Sequence, residues 1–231
     1  MPQTDGGFIV THNRDEAVVR TPALAPKRYR INQTQVIYPQ DPQSQGTWIA
    51  TSARFTLCLL NGAFENHERK LPYRQSRGRI IPDFFEYKCS EKFADQYNFE
   101  EIEPFTLVII DSQNHDFITE IKWDGVQLFK QKLPASEPKI WSSATLYNAE
   151  VRKNREIWFE DWVHQTADFE PNKIMYFHQN GGNGDRHNDM VMNRHDELKT
   201  QCIMQIEHRQ GMANIGYKDL LSGESHFYKL I

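Results

Sequence analysis

Residues 13–16, Asn13-Arg14-Asp15-Glu16, set a carboxamide, a guanidinium and two carboxylates side by side with no Gly or Pro among them. Surface turns favour Gly, Pro, Asn, Asp and Ser for backbone reasons, so this run is an unusual way to leave the apolar stretch at 7–11. An Arg can lower the pKa of a nearby thiol, and a carboxylate can orient the base that serves a nucleophile. The same groups can also form an Arg–carboxylate network that only ties a strand to a loop. Asn61 closes a second apolar stretch, 55–61. It is placed to donate its amide to a developing oxyanion, or simply to turn the chain with Gly62. Ser143, within 141–145, and Arg152, one helical turn from Arg155, complete the candidate pocket with Asn13 and Glu16. Both arginines fall on a charged helix face, where a solvated position is the plain expectation.

Other chemistry is less well supported. Residues 178–196 gather His178, His187, His195, Asp185 and Asp189. These types suit Zn or Mn, but no fixed ligand spacing accompanies them, so a polar loop without metal is expected. No CxxCH occurs, and lone histidines do not specify haem. The expectation is a protein with no cofactor. Its partner is a small-molecule substrate or ligand, and the sequence leaves its oligomeric state open.

The 231 residues are 39% hydrophobic and 25% charged, the composition of a globular chain. A net charge of -4 gives no electrostatic reason to expect nucleic acid. The longest apolar runs, such as 105–110, are too short to span a membrane. Cys58, Cys89 and Cys202 are odd in number and widely spaced, which points to free thiols and a cytoplasmic location.

β-Branched and aromatic content predicts strands at 7–11, 35–39, 47–52, 55–61, 105–111, 116–124, 126–133, 139–145, 199–208 and 212–221. Asp124-Gly125 is a tight-hairpin signal between 116–124 and 126–133, and the last two strands should turn at Gln210-Gly211. Apolar spacing predicts a helix over 77–97 that breaks near Cys89-Ser90. A second covers 148–165, with Asn148 as N-cap and Val151, Ile157, Trp158 and Trp162 along one side. A third covers 170–182, with Pro171 in its first turn. Without linkers or repeats, one α+β domain over residues 1–231 is expected, built from antiparallel sheets with helices outside them.

Residues 4–7 (Thr-Asp-Gly-Gly) are a hairpin signal. Only Met1, Pro2 and Gln3 precede them, too few for a strand of ordinary length. Either these three residues are a frayed terminus, or the natural chain begins several residues upstream.

Residues 11–16 (THNRDE), 21–26, 46–50 (GTWIA), 59–64 (LLNGAF) and 141–147 (WSSATLY) together resemble the NRDE family, relatives of transport and Golgi organisation protein 2. Residues 67–78, 151–159 and 191–194 are similar to its bacterial branch. The resemblance implies an N-terminal-nucleophile (Ntn) hydrolase fold, an αββα sandwich of two antiparallel sheets between helix layers. In such hydrolases the first residue of the mature chain attacks a carbonyl, with its own α-amino group available as base. Members of this family typically begin Met-Cys, whereas residue 2 here is Pro. The resemblance therefore implies that about six residues of the first strand, with the nucleophile, are missing. By similarity to amidases of the bile-salt hydrolase type, Arg14 and Asp15 would flank that Cys and Asn61 would serve the oxyanion. Ser143 falls where eukaryotic members tend to read Ser-Asn, so the second amide of that pair is lost. The activity implied is cleavage of a small amide. The alternative is a non-catalytic binder of a haem-like or lipid-like ligand in the same pocket.

Overall fold

The computed structural model describes residues 1–114, 116–209 and 212–230. In chain order the strands begin with β1 (Phe8–Ala17), β2 (Leu24–Ile31), β3 (Thr34–Gln40), β4 (Ile49–Ser52), β5 (Phe55–Asn61) and β6 (Phe105–Asp111). They continue with β7 (Phe117–Trp123), β8 (Leu128–Pro134), β9 (Asn193–Arg194), β10 (Leu198–Arg209), β11 (Met212–Asp219) and β12 (Ser225–Leu230). The helices are α1 (Ile80–Tyr87), α2 (Ser90–Gln96), α3 (Ala149–Gln165) and α4 (Pro171–Asn180). They form two compact units. One comprises Met1–Pro22, Glu137–Ile140 and Glu150–Ile231; the other comprises Ala23–Ser136 and Trp141–Ala149.

The first unit is organised by β10, a long, mostly buried strand. It pairs antiparallel with β1 from Phe8↔His208 to Ala17↔Leu198, and on its other side with β11 and the short β9. The order is β1-β10-β11-β12. β1 therefore continues well past the expected 7–11, and Asn13–Glu16 lie inside the strand instead of after it. A polar run is tolerated there because β10 supplies both the ladder and polar side chains for it. Ahead of β1 the expected hairpin is present. The Met1 amine donates to Ile9 O, Ile9 N–H donates to Met1 O, and Pro2 bridges Phe8. In α3 and α4, Phe159 and Phe177 pack with Met190, and Trp158 and Trp162 lean on them. Pro171 opens α4, where its missing N–H costs nothing.

The second unit is a seven-stranded antiparallel meander in the order β2-β3-β4-β5-β6-β7-β8. Alternation sends Phe55, Leu57 and Leu59 of β5 and Phe105, Leu107 and Ile109 of β6 to one face. There they meet Phe84 and Phe85 of α1 and Phe93 of α2. Asp124-Gly125 makes the expected tight turn between β7 and β8, with Gly125 at φ +99°. The helical stretch 77–97 breaks at Lys88, which takes the left-handed conformation.

Several expectations are corrected. Residues 139–145 form no strand; there Ser143 Oγ and Thr145 N–H both donate to Asn61 O, and Ser143 Oγ accepts Leu146 N–H. β2 and β12 escaped notice, since their apolar residues are few and their exposure is high. Ile157 is 42% exposed, and the buried side of α3 runs through Arg155 and Phe159. The turn expected at Gln210-Gly211 lies outside the described residues, although the pairing of β10 with β11 that it would join is present.

Candidate functional site

Strand alternation divides the polar run of β1 between two sides of its sheet. Arg14 and Glu16 share one side. Arg14 is only 6% exposed, donates to Gln201 Oε1 at 2.6 Å and meets Glu16 Oε2 at 3.3 Å. The ladder shifts between Arg14 and Asp15, leaving Gln201 as the extra residue of β10. Its amide nitrogen then reaches the carbonyls of Glu16 and Ala17. A bulge re-aims a side chain in this way, and here it brings an acceptor to a buried guanidinium.

Asn13 and Asp15 lie on the other side. Asp15 accepts from Thr200 Oγ1 at 2.6 Å, and that hydroxyl also receives Met192 N–H. Asn13 Nδ2 donates to the carbonyls of His178 and Met190, so its oxygen faces the His178 ring, 2.8 Å from Nδ1. Nδ1 must carry the hydrogen. Burial lowers the His178 pKa to about 3, helped by the charges of His12, Arg155 and the chain's amino group. Asn13 is thus a clamp from β1 to α4, and Arg14 and Asp15 do not converge on one point.

Asn61 ends β5 as expected and is exposed. Its backbone oxygen accepts from Ser143 Oγ at 2.9 Å, and Ser143 Oγ in turn accepts Leu146 N–H. The Asn61 carboxamide makes no hydrogen bond among the described residues, which leaves it able to donate to a ligand. Beside it, Thr145 Oγ1 is buried without a hydrogen-bond partner among the described residues. Gly62 allows this approach: a Cβ there would stand 2.7 Å from Thr145 Oγ1, and its φ is +83°. Two stretches 82 residues apart in sequence, 59–64 and 141–147, therefore meet at Asn61.

Arg152 is half-buried, with its Nε buried and lacking a hydrogen-bond partner. Arg155 is not solvated as expected. It is 5% exposed and donates to the carbonyls of Asn188 and Asp189, holding the polar loop against α3. Within that loop Asp185 accepts from His187 N–H and Asn188 Nδ2. Among the described residues no three His, Cys, Asp or Glu side chains gather as a metal site.

The cysteines are all free thiols. Cys202 faces Arg14 across the ladder, yet burial pushes its thiol up to about 12 against the pull of Tyr217 and Arg14. Burial also pushes Cys58 well above the ordinary thiol range. Gln201, Thr200 and Thr145 were not singled out from sequence. Each lies far along the chain from its partner, and no local spacing marks it.

The sequence profile of the family described as Transport and Golgi organisation 2 matches residues 2–215. No curated protein sequence matches the chain. Among solved structures, penicillin V acylase from Agrobacterium tumefaciens superposes with a TM-score of 0.54 at 8% identity, over 98% of this chain and 83% of that one. At that identity the likeness concerns the fold alone, and it shows the α+β, Ntn-hydrolase-like fold expected from the sequence. No helix among the described residues is long and apolar enough to cross a membrane.

Proposed function

The chain belongs to the Transport and Golgi organisation 2 family, and from that premise we propose an amide hydrolase of the N-terminal-nucleophile type acting on a small amide. The observation that carries this reading is Asn61, a strand-end carboxamide with no hydrogen-bond partner among the described residues, on a fold shared with an acylase. Such a donor is matched to the oxyanion of a tetrahedral intermediate. Arg14 supplies a buried positive charge that favours a thiolate, and Asp15 fixes β1 through Thr200. Glu16 and Gln201 hold the guanidinium in place, and Asn13 holds the strand to α4. Ser143 positions Asn61 through its backbone carbonyl.

The nucleophile this reading requires is an N-terminal Cys. Met1 faces Ile9 across the hairpin. We place the protein in the cytoplasm, on the strength of its three free thiols. The family match runs through both compact units and supports one functional domain.

A second reading is a non-catalytic binder of a haem-like or lipid-like ligand. Cys58 and Cys202, whose thiols burial pushes well above the ordinary range, are no substitute for an N-terminal nucleophile. The deciding measurement is the intact mass and N-terminal sequence of the protein from its native cell, followed by amide turnover. A chain that starts with Cys, and loses turnover on Cys→Ala, bears out the hydrolase. A chain starting at Met1 or Pro2 removes it and leaves the binder.

A further inference from the structure

We propose that Phe64, Phe129 and Lys122 form a subsite for an aromatic carboxylate. As the substrate class of the proposed hydrolase, this rests on that reading; as a binding site it is measured without turnover.

The ladder fixes the layout. Leu60 pairs with Thr106, Thr106 with Lys122, and Lys122 with Phe129. Partners across antiparallel strands point to one face, so this row leads from the strand that ends in Asn61 to Phe129. Thr106 Oγ1 donates to Gly62 O at 2.9 Å and pins the turn after Asn61. Two residues later Phe64 folds back over the row, its ring edge-to-face with Phe129 at 5.0 Å and its face 5.1 Å from the Lys122 ammonium.

Both rings remain open to solvent, Phe64 at 44% and Phe129 at 38% exposure. Aromatic rings in mutual contact and still exposed retain apolar area that a further ring can cover, by stacking or by an edge contact. The next row sets the charge. Glu120, 3% exposed, accepts from Gln131 Nε2 and from Trp141 Nε1 at 2.7 Å, and lies 3.2 Å from Lys122. Its oxygens are therefore shared among three donors, and Lys122 keeps donors for a second anion. Trp141 begins the segment whose Ser143 holds the Asn61 carbonyl. That segment and the Phe64–Phe129 pair border one strip of sheet. A ligand lying along it sets its ring on the two phenylalanines and its carboxylate by Lys122.

The test is isothermal titration with 3-phenylpropanoate, with propanoate and 3-phenylpropylamine as comparators lacking the ring or the negative charge. The expected result is binding of 3-phenylpropanoate at least about tenfold tighter than either comparator. Phe64→Ala and Phe129→Ala each weaken it about tenfold, while both proteins keep the wild-type melting temperature within a few degrees. Lys122→Gln erases the preference for the acid over the amine, and Lys122→Arg retains it. Absence of binding, or equal affinity in the two Phe variants, overturns the subsite. If the Cys-starting chain turns over no amide, the hydrolase reading fails while these affinities still decide the subsite.

Discussion

Gln201 holds Arg14 by a contact spanning 187 residues of sequence. Guanidinium groups are rarely buried without acceptors, so Gln201→Leu should leave part of the Arg14 charge uncompensated. The cost expected is about 1–3 kcal/mol, read as a lower urea midpoint with an unchanged slope. Gln201→Glu, which keeps an acceptor, should lose less. His178 gives a pH signature. Its folded pKa is lowered to about 3 from an ordinary 6.5, so the unfolded chain takes up the proton first. The resulting stability is complete above about pH 6.5 and is lost as pH falls from there toward 3. His178→Gln should flatten that acid limb between pH 7 and 4, measured as the change in melting temperature. Equal acid sensitivity in the variant would show that His178 does not carry it. The residue types at 13–16 were legible as chemistry, but their assignment to sides was not. A stretch read as ending at residue 11 gives no alternation to apply to residues 13–16.

At the scale of elements, apolar runs marked the strongly buried strands, and Asp124-Gly125 marked its hairpin. The expectations failed where backbone groups are satisfied by side chains, as at Ser143, or where a strand is exposed, as in β2 and β12. Gly62 is the tightest test of how the elements meet. Its φ of +83° and the nearness of Thr145 make Gly62→Ala costly twice over, by about 1–3 kcal/mol from backbone strain alone. A chemical-denaturation curve should show it, and retained full stability would mean that residues 141–147 give way freely. The segment after Gly62 has a second tether that the sequence did not disclose. Glu103, buried at 7% exposure, gathers His67 and Arg69 on one oxygen and Arg77 on the other, all within 3.3 Å. Removing the carboxylate charge takes an ionic partner from the half-buried Arg77, whose Nη1 still donates to Pro104 O. Glu103→Gln should therefore cost about 3 kcal/mol and raise the proteolysis rate within residues 65–76, whereas Arg69→Ala, at the exposed end of the cluster, should do little.

For the whole molecule, the two units differ in how far apart in sequence their partners lie. The seven strands of one pair in consecutive order, each with its neighbour in the chain. In the other, β1 must wait for β10, which begins at Leu198. Non-local pairing costs loop-closure entropy before it returns stability, so the first unit should form last and depend wholly on the C-terminal strands. Strand signals identified β1 and β10 separately, yet nothing in either shows that they are neighbours. Pairing is a property of the assembled sheet, and the family resemblance supplied what local patterns could not. Ending the chain after Glu197 removes β10, β11 and β12 together and leaves β1 with no ladder partner among the described strands. Hydrogen exchange on that shortened chain should show residues 8–17 exchanging at unprotected rates, with β3 to β7 still protected because their partners and their helix-covered core are intact. Protection lost across β3 to β7 as well would mean that both units unfold in one cooperative step. Arg14 and Asn61, which sit in different units, would then be lost together rather than one after the other.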